Sequence, residues 1–402
     1  MDLQRMKQVD RLAGYPLCGA LRVYDLLRGG NSRAAKLGGS EPPPPVELGP
    51  RPRIAVVKFW GMGSLILAAP MFYALRRSYP HAEVHLITLD HNRAILELLD
   101  LADQAHFLTL PAEAAGVAKS ILAFFGRLKR LQPDAVIDLE YLTRFSAVAS
   151  YLTGAPIRVG FHSWDVWRGG LHNMRRAFNP YWHATQNFMN LQAALTGRDS
   201  GPEPVKLKLD GSEDEEARAL LQSERVAPGE RLIAVNPNAS TIALARRWPE
   251  RHFVELIDRM VERGLGRVAL LGAKDEAEFV AGLQVRTRRP EAVVNLAGKS
   301  SLRGLAGILK AAALLITNDS GPLHLAGALG TPTVSFFGPE TPLLYGPRGP
   351  RNIVLHRDID CSPCINIYNA KTVRCMRTEP ECLTRISVDE ALAAAEKALG
   401  EK

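Results

Sequence analysis

Asp319, Ser320, Gly321, Pro322, Leu323 and His324 follow directly on an apolar run at residues 312–317, and a segment of small residues continues behind them to Gly330, Thr331 and Pro332. The apolar run reads as a strand, the small-residue segment as a helix, and a turn rich in glycine and proline joins the two. A helix that begins at such a turn presents unpaired backbone N–H groups and the positive end of its dipole to whatever lies above the strand end. The chemistry of that arrangement is anion binding, of a kind that suits a diphosphate. The amides of Ser320, Gly321 and Leu323 are the candidate donors. His324, one turn in, either touches the anion or packs under the loop; Asp319 either grips a ligand hydroxyl or caps the helix.

A second constellation is the pair Asp138 and Glu140, where the apolar strand at residues 135–139 ends. Strand alternation places both carboxylates on one face, with Glu140 farther out toward the loop. Lys58, at the end of the first strand, and Arg144 are candidate phosphate ligands or plain solvated cations, and Asp90 lies at another strand end. Cys361, Cys364, Cys375 and Cys382 are spaced C-x2-C-x10-C-x6-C, with Cys18 left over. Four thiols suffice for a tetrahedral structural zinc; reduced thiols or an incidental disulfide are the alternatives.

These residues need elements to hold them. Strand-like runs at 54–58, 83–88, 105–108 and 135–139 alternate with helix-like segments at 65–77, 92–99 and 114–131. After about residue 210 a second series follows, with strands at 232–235, 267–271, 293–296, 313–316 and 333–336, helices at 249–263, 275–286 and 302–310, and a closing helix at 387–399. Such alternation predicts two parallel sheets covered by helices on both faces, with ligands outside the strand ends. The expected divisions are 1–37 for an amphipathic N-terminal segment, 38–53 for a proline-rich linker in polyproline II conformation, 54–210 and 211–386 for the two α/β domains, and 387–402 for the final helix.

In the first segment Leu3, Met6, Val9, Leu12, Leu17, Leu21, Tyr24, Leu26 and Leu27 are set against Arg5, Lys7, Arg11, Arg22 and Arg28. A basic amphipathic helix of this kind either lies in the interface of an anionic membrane or packs on the body of the protein. With 402 residues, 46% hydrophobic and 23% charged, the chain has ample core for two domains. Its net charge of +8 points to acidic partners: nucleotide diphosphates, phosphorylated glycolipids or an anionic membrane. The basic residues are scattered and carry no nucleic-acid motif, which argues against nucleic acid. No apolar run approaches the roughly 20 residues of a membrane span, and no leader peptide opens the chain, so the expected location is cytoplasmic, with contact to the inner face of the membrane through residues 3–28 as an open alternative.

Seven short patterns in order carry a family resemblance: Gly61-Met62-Gly63 with Pro70 and Leu75-Arg76, the strand 134–139, Arg158-Val159-Gly160-Phe161, Arg246-Arg247-Trp248-Pro249, Leu271-Gly272 with Asp275-Glu276, Leu296-Ala297-Gly298-Lys299, and the turn at Asp319 running on to Phe336-Phe337-Gly338-Pro339. Over about residues 54–390 the chain resembles glycosyltransferase family 9, the ADP-heptose:lipopolysaccharide heptosyltransferases. The resemblance implies the GT-B fold, two Rossmann-like doubly wound domains facing a cleft, and inverting, metal-independent transfer from a nucleotide-diphosphate sugar to a glycolipid or nascent polysaccharide. It assigns Asn236, Arg246 (where the family usually has lysine), Glu276, Asp319, Ser320, Gly321, Leu323 and His324 to the donor. Arg246 has a surface position beside Trp248 as its alternative, and Glu276 either reaches ribose hydroxyls or begins a helix. Lys58, Gly63, Ser64, Arg144 and His183, the last in a stretch of aromatic, His and Arg residues, fall to the acceptor. Asp358-Ile359-Asp360 spells a metal-binding DxD of other transferase folds, which GT-B chemistry does not need.

The chain departs from the family at Ser64. Family members usually have an aspartate there, taken as the general base, and a serine hydroxyl alone is too weakly acidic to replace it. Glu140 is the expected substitute, then Asp138. A nucleotide-sugar or glycan-binding protein without turnover is the alternative that the substitution raises; a nucleotide-sugar epimerase of the same fold fits the motifs less well.

Overall fold

Uninterrupted runs such as Arg53–Val57 and Leu232–Asn236 are buried on both faces from their second residue onward, as a parallel strand covered by helices on each side requires. The computed structural model describes residues 10–28, 43–111, 113–141, 143–239, 241–366 and 375–400. Among these, twelve strands form two six-stranded parallel sheets. The chain divides into two compact units, Met1–Val205 and Lys206–Lys402.

In the first unit β1 (Arg53–Val57), β2 (Glu83–Leu89), β3 (Gln104–Leu108), β4 (Ala135–Asp138), β5 (Ile157–His162) and β6 (Met174–Ala177) run in the order β3-β2-β1-β4-β5-β6. In the second, β7 (Leu232–Asn236), β8 (Arg267–Leu270), β9 (Val293–Asn295), β10 (Leu314–Asn318), β11 (Thr333–Phe337) and β12 (Asn352–His356) run β12-β11-β10-β7-β8-β9. Counted from each unit's first strand, the two orders are the same doubly wound order. The order reverses between β1 and β4 and between β7 and β10, and ligands of such sheets bind beyond the strand ends at that point. Register brings Val57 opposite Asp138 and Thr317 opposite Asn236. The residues that follow them therefore emerge together at the carboxyl edge of each sheet.

Strands β5, β6 and β12 were not among the expected strands. β6 and β12 are edge strands with incomplete burial and polar residues such as Arg175, Arg176 and Asn352, so their period is blurred. The closing helix Val388–Leu399 packs on its own unit, through Val388, Ala391, Leu392 and Ala395 against a core that includes Trp248, Phe253 and Phe336.

The N-terminal helix Gly14–Leu27 packs on the helix that follows β4, Arg144–Leu152, with Cys18 buried among Ala147, Val148 and Leu171. Of the expected amphipathic segment, residues 1–9 lie outside the described residues, as do 29–42 of the segment and linker. From residue 43 the proline-rich stretch is tied down: the Val46 amide donates to the Leu195 carbonyl at 2.9 Å and the Tyr79 hydroxyl to the Val46 carbonyl at 2.9 Å. Among the described residues no helix is long and apolar enough to cross a membrane.

Candidate functional site

At the reversal point of the first sheet, Glu140 organises the turn after β1. Its Oε1 accepts from Lys58 Nζ at 2.8 Å, the Phe59 amide at 2.6 Å and the Trp60 amide at 3.0 Å. The carbonyls of the same turn are held from β2 and the helical turn behind it: Thr88 Oγ1 donates to the Lys58 carbonyl at 2.6 Å and Asn92 Nδ2 to the Phe59 carbonyl at 2.9 Å. The clamped turn runs into Gly61, whose φ of +86° a side chain would strain, and then into the helix Met62–Ser78. Gly63 and Ser64 lie in the first turn of that helix, half-buried, and Ser64 Oγ has no partner among the described residues. Glu140 Oε2 likewise has none and keeps solvent contact.

Several expectations for this unit change. Asp138 is fully buried and serves as a tie: it accepts from Ser146 Oγ at 2.8 Å and the Glu140 amide at 2.9 Å, with Arg168 at 3.3 Å and His172 at 3.1 Å. Burial alone would push its carboxyl up, but the hydrogen bonds and the Arg168 charge outweigh that and hold it below the usual range. Burial, reinforced by Arg168, pushes His172 down to about 4, so the imidazole is neutral near pH 7 and the charge that steadies Asp138 there is that of Arg168. This takes Asp138 out of the candidates for base.

Lys58 is spent on Glu140 and almost fully buried, so it is no ligand for an acceptor phosphate. Arg144 is occupied as well, 3.6 Å from Asp10 and stacked 3.7 Å over the Tyr15 ring. His183 caps the helix Ala184–Thr196, its Nδ1 accepting from the Thr185 amide at 3.3 Å. Asp90 pairs with Arg93 at 2.6 Å.

The reversal point of the second sheet carries the anion-binding turn. Ser320 is the N-cap of the helix Gly321–Leu329, and the Asp319 carboxylate, rather than capping it, accepts from Arg246 Nη1 at 2.9 Å. The Ser320 and Gly321 amides have no acceptor among the described residues, whereas the Leu323 amide is spent on the Ser320 carbonyl at 3.2 Å, which corrects its assignment as a phosphate donor. His324 is buried in the first turn of the helix.

Two residues after Arg246, Trp248 anchors the same segment. The indole is fully buried, stacks on Phe336 with ring centroids 4.2 Å apart, and donates to the Ile386 carbonyl at 3.1 Å. Asn318, at the end of β10, closes the arrangement: its Oδ1 accepts from the Trp248 amide at 2.8 Å while its Nδ2 donates to the carbonyls of Pro237 and Asn238 at 3.0 and 3.1 Å. Sequence reasoning passed over Asn318; an amide buried at a strand end beside the anion turn was the available signal. Asn236, expected on the donor, is the floor of the site, donating to Thr317 Oγ1 at 3.2 Å and Ser320 Oγ at 3.1 Å. Glu276 begins a helical turn, its Oε2 accepting from the Ala273 amide at 2.8 Å; burial pushes its carboxyl up, against that hydrogen bond.

Cys361, Cys364, Cys375 and Cys382 line one pocket as free thiols. Burial, then the neighbouring sulfurs, push Cys382 up to about 12 and Cys364 in the same direction. Among the described residues no three His, Cys, Asp or Glu side chains are disposed to hold a metal ion.

Two doubly wound sheets, one bearing a helix N-terminus with unpartnered amides beside a fixed arginine, make an architecture suited to binding an anionic nucleotide ligand at the strand ends. The model of the family described as glycosyltransferase family 9 (heptosyltransferase) matches residues 121–372. Lipooligosaccharide heptosyltransferase 2 of Haemophilus influenzae is 30% identical over 70% of this chain and 82% of its own. Lipopolysaccharide heptosyltransferase 1 of Pseudomonas aeruginosa is 29% identical over 66% of this chain and 73% of its own. The solved ADP-heptose LPS heptosyltransferase II of E. coli shares the fold with a TM-score of 0.65, at 20% identity over 87% of this chain and 98% of that one. The chain belongs to glycosyltransferase family 9 and is a glycosyltransferase.

Proposed function

We propose that the chain transfers a heptose, with inversion, from ADP-heptose to a lipopolysaccharide-type glycolipid at the cytoplasmic side of a membrane. The observation that carries the reading is the Arg246–Asp319 pair beside the unpartnered Ser320 and Gly321 amides, at the reversal point of the second sheet, in a member of the heptosyltransferase family. Its relatives bear the names of lipopolysaccharide and lipooligosaccharide heptosyltransferases, one of them naming ADP-heptose. As the donor bond breaks, negative charge grows on the diphosphate. Arg246 and the amides are fixed donors aimed at that charge, and they serve the purpose without a metal.

Glu276 Oε1 is the group for the ribose hydroxyls. For the acceptor, Glu140 Oε2 is the base and the Ser64 hydroxyl, with the first turn of its helix, orients the attacking oxygen. A binding protein without turnover was raised by Ser64; the family relatives are transferases, and Glu140 supplies a carboxylate at the same turn. The cysteine pocket is assigned no step and no metal.

The test is release of ADP from ADP-heptose in the presence of truncated lipopolysaccharide lacking heptose, with the glycan product identified by mass. Transfer dependent on both substrates is the expected result. Tight ADP-heptose binding, read as a raised melting temperature, with no product on any heptose-free acceptor would establish the binding-protein reading instead.

A further inference from the structure

The N-terminal helix is amphipathic the wrong way round for a helix that covers a core. The stripe turned to the protein is small and polar: Asp10, Gly14, Cys18, Arg22 and Asp25, with Leu21. Asp10 Oδ1 accepts from the Phe145 amide at 2.7 Å and Oδ2 from the Arg144 amide at 3.2 Å, capping the helix after β4. A Cβ on Gly14 would come within 2.7 Å of Arg144 Cβ, so only glycine lets the helix approach this closely. The Tyr151 hydroxyl donates to Asp25 at 3.2 Å.

The opposite face, Leu12, Ala13, Pro16, Ala20, Val23, Tyr24 and Leu27, carries no charge and faces water. Leu12 is 76% exposed, Val23 56% and Leu27 82%. At 100° per residue the five of these that lie within the helix, Pro16, Ala20, Val23, Tyr24 and Leu27, fall within about 100° of its circumference, the width of a single apolar stripe, and Leu12 and Ala13 come just ahead of its first turn. Aromatic and basic groups fringe it. Tyr15 stacks on Trp167 with centroids 5.9 Å apart, Trp164 in the same loop is 84% exposed, and Arg28 lies 4.7 Å over the Tyr24 ring. Arg11, beside Leu12 in the segment just ahead of the helix, is exposed as well.

We propose that this face docks the enzyme on an anionic phospholipid bilayer. An uncharged apolar stripe with Trp, Tyr and Arg at its margins matches the interface between acyl chains and headgroups, where indoles and phenols sit at headgroup level and arginines reach the phosphates. A second copy of the chain fits less well, because a twofold interface sets a patch against itself and would bring the arginine fringes of both copies together. The helix is bonded to the element that follows Asp138 and Glu140, so docking it brings the acceptor-side unit to the lipid surface. The proposal rests on the glycolipid reading only for the reason a bilayer is near.

Flotation of the full chain with vesicles of phosphatidylcholine, alone or mixed with phosphatidylglycerol, tests it. The wild type is expected to float with the anionic vesicles and to release at high salt. Leu12→Glu/Val23→Glu/Leu27→Glu and, separately, Arg11→Gln/Arg28→Gln are each expected to bind at least about tenfold more weakly, with melting temperatures showing intact folding. Transfer to a delipidated, water-soluble acceptor is expected to be unchanged in both. If the wild type stays with the unbound fraction, or the triple variant floats undiminished, the proposal is wrong. It is equally wrong if light scattering shows a dimer that the triple variant splits while vesicle binding stays absent. Absent turnover with intact vesicle binding would count against the transfer reading and leave the docking face standing.

Discussion

Arg246 Nη1 lies 2.9 Å from Asp319 Oδ2, so the cation assigned to the donor's diphosphate is already paired with the carboxylate at the head of the anion turn. Both side chains are mostly buried, and Arg246 Nε has no hydrogen-bond partner among the described residues. A diphosphate entering here competes with Asp319 for the guanidinium and meets its negative charge.

The consequence is a divergence between two variants. Arg246→Gln is expected to weaken ADP about 10- to 100-fold, the scale of a lost charge-assisted bond. Asp319→Asn, which frees the arginine, is expected to tighten ADP about tenfold at low salt and yet to lower turnover. Titration calorimetry at two salt concentrations measures both; equal weakening by the two variants would show that the carboxylate binds the donor directly.

At the other reversal point, Glu140 has an observed structural duty in the turn and a proposed one as base, which variants can test. Glu140→Gln keeps an oxygen for the amide donors but removes the basic one and leaves the buried Lys58 cation unpaired, so kcat of the folded enzyme is expected to fall about 10²- to 10⁴-fold and the melting temperature to fall with it. Lys58→Met leaves the carboxylate buried without its cation and is expected to cost about 3–5 kcal/mol in urea unfolding. Combining the two changes should recover much of that loss, because the uncompensated charge is gone.

The Asn318 side chain holds the main chain of two segments, at Trp248 and at Pro237-Asn238. Asn318→Ala orphans the Trp248 amide and the Pro237 and Asn238 carbonyls and is expected to destabilise by on the order of 3 kcal/mol. ADP affinity should fall with it, since Trp248 anchors the segment that carries Arg246. Asn318→Asp, which still accepts from the Trp248 amide, should recover part of the ADP affinity; if neither variant alters ADP binding while both lower stability, the positioning role is refuted.

Acid should weaken the fold through His172. Burial and Arg168 lower its folded pKa to about 4, from the ordinary 6.5. Below the unfolded value the unfolded chain takes up a proton that the folded chain refuses, so this contribution is complete above pH 6.5 and is lost as pH falls toward 4. The loss is about 3 kcal/mol. His172→Gln is expected to flatten the melting temperature over that range; an unchanged slope would place the titration elsewhere.

Much of the fold was legible because parallel strands buried on both faces leave an unmistakable mark, runs such as residues 135–139 and 313–316 with no polar interruption. Edge strands β6 and β12 lack that mark, since one side of each is wet. The anion turn was legible for a similar reason: glycine and proline behind an apolar run have few other conformations. The partners of the two carboxylates were not. Position toward the loop ranked Glu140 ahead of Asp138 as candidate base, but alternation puts both on one face and does not show that Asp138 is tied among Arg168, His172 and Ser146.

By itself, then, the chain determined the two α/β layers, the phosphate-binding turn and the departure at Ser64, all of which follow from local period, turn chemistry and side-chain type. Tertiary structure alone decided which polar groups remain available. Lys58 is taken by Glu140, 82 residues away, and Arg144 by Asp10, 134 residues away. Leu323 loses its amide to a carbonyl three positions back. Local spacing settles which face a residue occupies, whereas its partner is set by how distant segments pack, because every buried donor and acceptor must be matched across those contacts.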